Sequence, residues 1–366
     1  MNDSYMKKIL FDNQMFTLQR FGGVTRYFAD LMYNLPEGFS AEMPMRYCEN
    51  HYITETYGKS YRKITFPDNY RIRRQLYILA NKHISKKAVK NDGYDIFHPT
   101  YFDPYFIKSI KKRQKPFVLT VHDMTFERYP QDVLFYDHTI EHKRVLINEA
   151  DHIIAVSENT KRDIVELIGT DPSRITVVHH GYRPIADPAA QLFERYVLYV
   201  GERKGYKNFL PWLSAIRPIF NLDPNLKIVC TGSPFSKAEL KLFEKWNIQG
   251  RLVHISANDA QMASLYRHAL CFVFPSHYEG FGIPILEAFY NGCPVCLSNA
   301  SCFPEVAGDA AIFFNPNDAQ SMHDTLKEVL ASPTLRGELN RKGIERSKEF
   351  SLDNMVRRTC DVYRKL

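Results

Sequence analysis

The sequence predicts an α/β protein of two halves, each with a parallel sheet, and three observations predict it. Short apolar runs alternate with helical patterns, several runs end in a glycine-bearing loop that opens a helix, and the pattern restarts after a proline-containing stretch near the middle. A chain of 366 residues exceeds one ordinary core and fits two domains, and 45% hydrophobic with 24% charged residues is a globular composition.

In order, Lys8 to Asp12 reads as a strand, and Phe21-Gly22-Gly23-Val24 leads into a helix from Thr25 to Leu35, on which Val24, Tyr27, Phe28 and Leu31 recur at helical spacing. No Gly-x-Gly-x-x-Gly is present, so the dinucleotide fingerprint is absent. Two apolar strands follow, from Tyr94 and from Pro116, ending in His98 and in His122-Asp123. Ligands of open α/β sheets sit beyond the carboxyl ends of strands, so both histidines are candidates, the alternative being a histidine satisfied at a strand end. Asp137 to Ala150 reads as a helix carrying His138 and His142 on one face, with no third ligand to make a metal site. Asp151 to Val156 is a strand closed by Ser157, a cap for the helix to Ile168, and Ile175 to Gly181 is the last strand before a linker from Arg183 to Arg195.

The second half repeats the scheme. Tyr196 to Val200 is a strand followed by a basic glycine loop, Gly201 to Asn208, in which Arg203 can bind a diphosphate bidentately and Lys204 or Lys207 as a point charge. Leu226 to Cys230 with Thr231-Gly232-Ser233, and Leu252 to Ile255, are further strand-loop units. The run Leu270 to Phe274 then stops at Pro275, crosses Glu279-Gly280-Phe281-Gly282-Ile283 and enters a helix opened by Pro284 and carrying Glu287. Amide groups and dipole at a helix start favour an anion, while two flanking carboxylates would repel it and suit hydroxyl groups beside it. Helices from Gln320 to Ser332 and Pro333 to Phe350, and a last one from Leu352 to Lys365 capped by Ser351, close the chain.

The spacing Glu279-x7-Glu287 around Gly280-Phe281-Gly282-Ile283-Pro284 resembles the signature of retaining glycosyltransferases of family 4, and the Arg203 to Asn208 loop resembles the site where those enzymes hold a leaving diphosphate. The resemblance implies the GT-B architecture, two Rossmann-like domains whose parallel sheets face across a cleft. Residues 1–185 would form an acceptor domain, 186–350 a nucleotide-sugar domain, and 351–366 a helix crossing back to the first. His122, Arg203, Lys207 and Glu279 are then the expected catalytic groups. Gly22, Gly23, Asp123, Ser233, Gly280, Phe281, Gly282, Ile283 and Glu287 are the expected donor contacts. Similarity of the two loops to bacterial mannosyltransferases of lipopolysaccharide assembly implies GDP-mannose and a saccharide or polyprenyl-linked acceptor, with UDP-sugars open. A sugar-nucleotide epimerase, a phosphorylase and a non-catalytic binder of the same architecture are the rivals. No carboxylate has a claim as covalent nucleophile, which favours front-face substitution. No Asp-x-Asp occurs, so no metal and no other cofactor is expected.

Seven cysteines, an odd number, predict reduced thiols and a cytoplasmic setting, and Cys293-Pro-Val-Cys296 lacks a second pair for zinc and reads as a turn followed by a strand. Lys7-Lys8 precedes an apolar run that Asp12 ends too early for a leader, and no run is long enough to span a bilayer. The net charge of +7 is uneven. Lys59 to Lys90 carries nine further cations, counted from Arg62 to Lys90, against Asp68 alone, and five more follow up to Lys115, interleaved with apolar residues. Such a surface suits anionic lipid at the inner membrane or is a solvated face, and nothing in the chain resembles a nucleic-acid motif.

Overall fold

The computed structural model describes residues 5–66, 68–132, 138–184 and 187–366, and these divide into two compact units. The first takes the described residues up to Arg128, those from His138 to Gly181, and Leu352–Leu366. The second takes Tyr129–Asp132 and the described part of Tyr182–Ser351.

The first unit holds β1 (Lys7–Phe11), β2 (Phe39–Glu42), β3 (Ile96–His98), β4 (Val118–Val121), β5 (His152–Ala155) and β6 (Ile175–Val177). All pairings are parallel, in the orders β2-β1-β3 and β4-β5-β6, and one bridge from Phe97 to Phe117 joins the two sheets. Every position of β3 and β4 is buried, and all but His98 and Thr120 are apolar, as suits strands of a parallel sheet covered on both faces. Ser157 caps the Glu158–Ile168 helix by accepting from the Thr160 amide at 3.0 Å, as its place before the apolar pattern requires. The Leu352–Arg364 helix buries Leu352, Met355, Val356, Cys360 and Tyr363 in this unit's core.

The second unit holds β7 (Tyr196–Tyr199), β8 (Lys227–Cys230), β9 (Leu252–His254), β10 (Cys271–Phe274), β11 (Val295–Ser298) and β12 (Ile312–Phe314). They form one parallel sheet of order β12-β11-β10-β7-β8-β9. The chain winds outward one way through β7, β8 and β9 and then the other way from β10, the doubly wound pattern of a dinucleotide-binding sheet.

Two strands escape the sequence reading, β2 and β12, both at sheet edges. Neither is a run of apolar residues buried throughout, so neither carries the pattern that marks a central strand. The Ile175 to Gly181 strand ends at Val177; of the helix read from Asp137 to Ala150, Asp137 lies outside the described residues and the helix spans Thr139–Glu149. The basic segment contains a 20-residue helix, Tyr70–Val89, whose start is capped by Asn69 accepting from the Arg71 and Ile72 amides.

Candidate functional site

In the second unit the strand order reverses between β7 and β10, so a ligand crevice is expected beyond their carboxyl ends. The loops that follow those two strands are the ones the sequence singles out. Their backbones are tied together, since the His277 amide donates to the Tyr206 carbonyl at 2.8 Å. Across this tie the Lys207 ammonium donates to Glu279 Oε1 at 2.7 Å. Burial alone would push the Lys207 pKa down, but the Glu279 charge and hydrogen bond outweigh it and raise it, so the ammonium stays charged. Lys204, the other lysine of the loop, is exposed.

Glu279 is held from behind. Its amide donates to the Ser301 hydroxyl at 3.2 Å, and that hydroxyl donates to its carbonyl at 2.6 Å. The chain then turns through Gly282 at φ 90°, which favours glycine, and a Cβ there would stand 3.0 Å from Ile285 Cδ1, leaving it little room. Gly282 opens the Ile283–Tyr290 helix, placing the Ile283 amide at the positive end of its dipole, and Phe281 is buried against Phe350. One turn along, Glu287 Oε2 accepts from the buried Tyr266 hydroxyl at 2.9 Å.

The β7 loop is shaped by close approach. A Cβ on Gly232 would lie 2.6 Å from the Gly201 carbonyl oxygen, so the ends of β7 and β8 meet backbone to backbone. There the Ser233 hydroxyl donates to Glu202 at 2.6 Å. Tyr129–Asp132 also belongs to this unit: Asp132 Oδ2 accepts from the Tyr206 amide at 2.9 Å, and the Tyr129 ring lies against Tyr206 and Tyr278.

Arg203 departs from the expected arrangement. Its guanidinium does not turn to the Lys207 and Glu279 pair; Nε donates to Glu239 at 2.7 Å and Nη2 to the Pro234 carbonyl at 3.1 Å, over the Phe235 ring. The physical reason is the Glu239 carboxylate, which the capping box of the Lys237–Lys245 helix fixes beside the loop. Nη1 is buried without a hydrogen-bond partner among the described residues.

In the first unit, His122 follows β4 and packs edge-on against Tyr27 and Phe28 and face to face with His180. Burial lowers its pKa to about 3, so the ring is neutral, and both its nitrogens are buried with no hydrogen-bond partner among the described residues. His180 is not among the residues the sequence motifs mark, although it too lies past the end of a strand, β6. Asp123 Oδ1 accepts from the Thr125 amide at 2.9 Å, and its carbonyl accepts from buried Lys143 at 3.1 Å. Gly22 precedes the Gly23–Tyr33 helix, and its carbonyl accepts from the Arg26 amide. His98 is structural: it is fully buried, with Nδ1 2.6 Å from the Tyr363 hydroxyl and Nε2 2.9 Å from Thr120 Oγ1.

This unit also reverses strand order, between β1 and β3, and a cavity of about 350 Å³ opens beside the chain leaving those strands. Asn13, Gln14, Tyr101, Phe102, Tyr105 and His142 contribute to its largely apolar wall. His138 lies 2.8 Å from Glu141, and among the described residues no group of three metal-ligating side chains forms. All seven cysteines are buried and free, and among the described residues no helix is long and apolar enough to cross a membrane.

Both halves match known families. Residues 21–184 match the Glycosyltransferase Family 4 profile and residues 186–349 match Glycosyl transferases group 1. The chain is 27% identical over 293 residues to the O-antigen chain mannosyltransferase B of Escherichia coli, covering 74% of each chain. It is 27% identical over 301 residues to the MMP alpha-(1->4)-mannosyltransferase of Mycolicibacterium hassiacum, covering 76% of this chain and 72% of the relative. A crystal structure of Anabaena Alr3699/HepE in complex with UDP and glucose shares the fold at a TM-score of 0.77 and 15% identity, over 98% of this chain and all of that one. With a glycosyltransferase profile on each half and a doubly wound sheet whose switch point carries the two signature loops, the chain belongs to the family 4 glycosyltransferases of the GT-B fold.

Proposed function

We propose that the chain is a retaining mannosyltransferase that takes mannose from GDP-mannose and passes it to a saccharide or lipid-linked saccharide of a cell-surface polysaccharide. The observation that carries the transfer reading is the Lys207 to Glu279 pair at the switch point of the second unit. A charged ammonium beside the start of the Ile283–Tyr290 helix suits a departing diphosphate, and a carboxylate beside it suits sugar hydroxyls. Glu287, one turn further, is assigned to a ribose hydroxyl. The sugar is argued from the two relatives, whose names share mannose and differ in acceptor. The cavity of the first unit, apolar with aromatic walls, is assigned to the acceptor.

In this reading Lys207 and the helix amides stabilise charge as it grows on the bridging oxygen, without a metal ion. His122, neutral and with both ring nitrogens buried, is assigned to a sugar hydroxyl by the family resemblance. The acceptor attacks from the face the diphosphate leaves, and the phosphate oxygen takes its proton, so configuration is retained. A thermal-shift panel of GDP- and UDP-sugars tests the donor, since a ligand at roughly a hundred times its Kd stabilises by about 2.7 kcal/mol. GDP-mannose should raise Tm most. A larger shift with a UDP-sugar would replace the donor assignment, and an inverted anomer in the product would refute retention.

A further inference from the structure

The Tyr70–Val89 helix is built inside out. Its inward face, Tyr77, Asn81, Ser85 and Val89 at steps of four, is mostly polar and buried. Asn81 accepts from the Arg46 and Tyr47 amides, both at 3.1 Å, and donates to the Tyr47 carbonyl at 2.7 Å, while Ser85 accepts from Asn13 at 2.6 Å. These bonds fix the rotation of the helix, because turning its aliphatic residues inward would strand every one of them. The outward face runs Ile72, Leu76, Leu79, His83, Lys86, Lys90, again at steps of three and four. Leu79 is 68% exposed, Ile72 50% and Leu76 39%, and Phe66, just before the helix, is 81% exposed.

We infer that this face docks the chain on an anionic lipid bilayer, with Ile72, Leu76 and Leu79 entering between headgroups and Arg71, Lys86, Lys87 and Lys90 meeting lipid phosphates. The argument is the chemistry of the face. From Asn69 to Lys90 there is no acidic residue, and the four cations named are exposed on the same element as the aliphatic row. Aliphatic side chains flanked by cations, with Asp68 just before the helix paired to Arg73, complement a surface that is apolar beneath and anionic above. A protein partner would be expected to meet some mixture of charge, and a second copy would set this basic face against itself. The inference does not depend on the donor or the acceptor proposed above.

Full-length protein is sedimented with vesicles of phosphatidylcholine alone and with roughly one-third phosphatidylglycerol, at low and high salt. Binding is expected only to the anionic vesicles, falling steeply with salt. The double substitution Leu76→Ser and Leu79→Ser should lower the partition coefficient by about tenfold or more, as should Lys86→Glu with Lys87→Glu. Leu240→Ser, at a 50% exposed leucine of the second unit, should not. All are surface positions, so unchanged circular dichroism melts serve as the folding control. Equal binding to both vesicle types, or wild-type binding by both double variants, would overturn the inference. So would a dimer that the leucine variant dissolves, if no vesicle binding is seen.

Discussion

Lys207 and Glu279 lie 72 residues apart in sequence, yet the ammonium donates to the carboxylate at 2.7 Å, and each comes from a loop after a strand on either side of the point where the sheet reverses. One consequence is a test of whether the cation serves the transition state. Lys207→Ala should lower kcat by about a hundred- to a thousandfold, or ~2.7–4 kcal/mol. Donor Kd should change far less, because charge on the bridging oxygen is greatest as the bond breaks. Steady-state kinetics with calorimetric donor titration distinguish the two, and an equal loss in both would make the loop a binding element only.

Arg203 is expected to act by holding the loop. Breaking its buried pair with Glu239 should cost about 3–5 kcal/mol of stability, and Arg203→Lys should rescue little, since an ammonium cannot reproduce the fork onto Glu239 and the Pro234 carbonyl. Urea midpoints measure this. A variant of unchanged stability that has lost turnover would return Arg203 to the substrate.

Glu287→Ala should weaken donor binding by about 1.5–3 kcal/mol if the carboxylate accepts from a ribose hydroxyl. Tyr266→Phe should weaken it less, because it removes only the bond at 2.9 Å that aims the carboxylate. A Glu287→Ala variant with wild-type nucleotide affinity would make the pair a structural one.

Transfer should survive chelation, since Lys207 and the helix start are assigned the work of a cation. Turnover that disappears with EDTA and returns with magnesium or manganese would refute the metal-independent scheme.

Stability should fall on acidification, partly through His98. Burial lowers its folded pKa from 6.5 to about 3, so between those values the unfolded chain binds a proton that the folded chain refuses. Stability from this group is present above the unfolded value and is lost as pH falls, at about 1.4 kcal/mol per pH unit. His98→Asn should lower stability at neutral pH, through Thr120 and Tyr363, and flatten the slope down to about pH 5 by one proton. Urea titrations across that range would show an unchanged slope if the histidine were not held neutral.

The sequence by itself determined the α/β class, the central strands and the two loops. Strands of a parallel sheet buried on both faces are mostly apolar, and a strand that meets a glycine and then a helix start leaves a local mark, as Cys271–Phe274 followed by Gly280 and Gly282 does. Pairing needed the fold. Nothing local in Arg203 says that Glu239, 36 residues on, will take its guanidinium, and nothing local separates Lys204 from Lys207 until Tyr206 is tied to His277. His98 and His122 look alike as histidines at the ends of apolar strands, but one finds Tyr363 and Thr120 while the other has no partner for either nitrogen among the described residues. The tertiary structure also decided which side of the Tyr70–Val89 helix faces water. Asn81 and Ser85 have buried backbone and side-chain groups to satisfy, and an unmet buried hydrogen bond costs more than an exposed leucine. Periodicity alone would have turned that helix the other way.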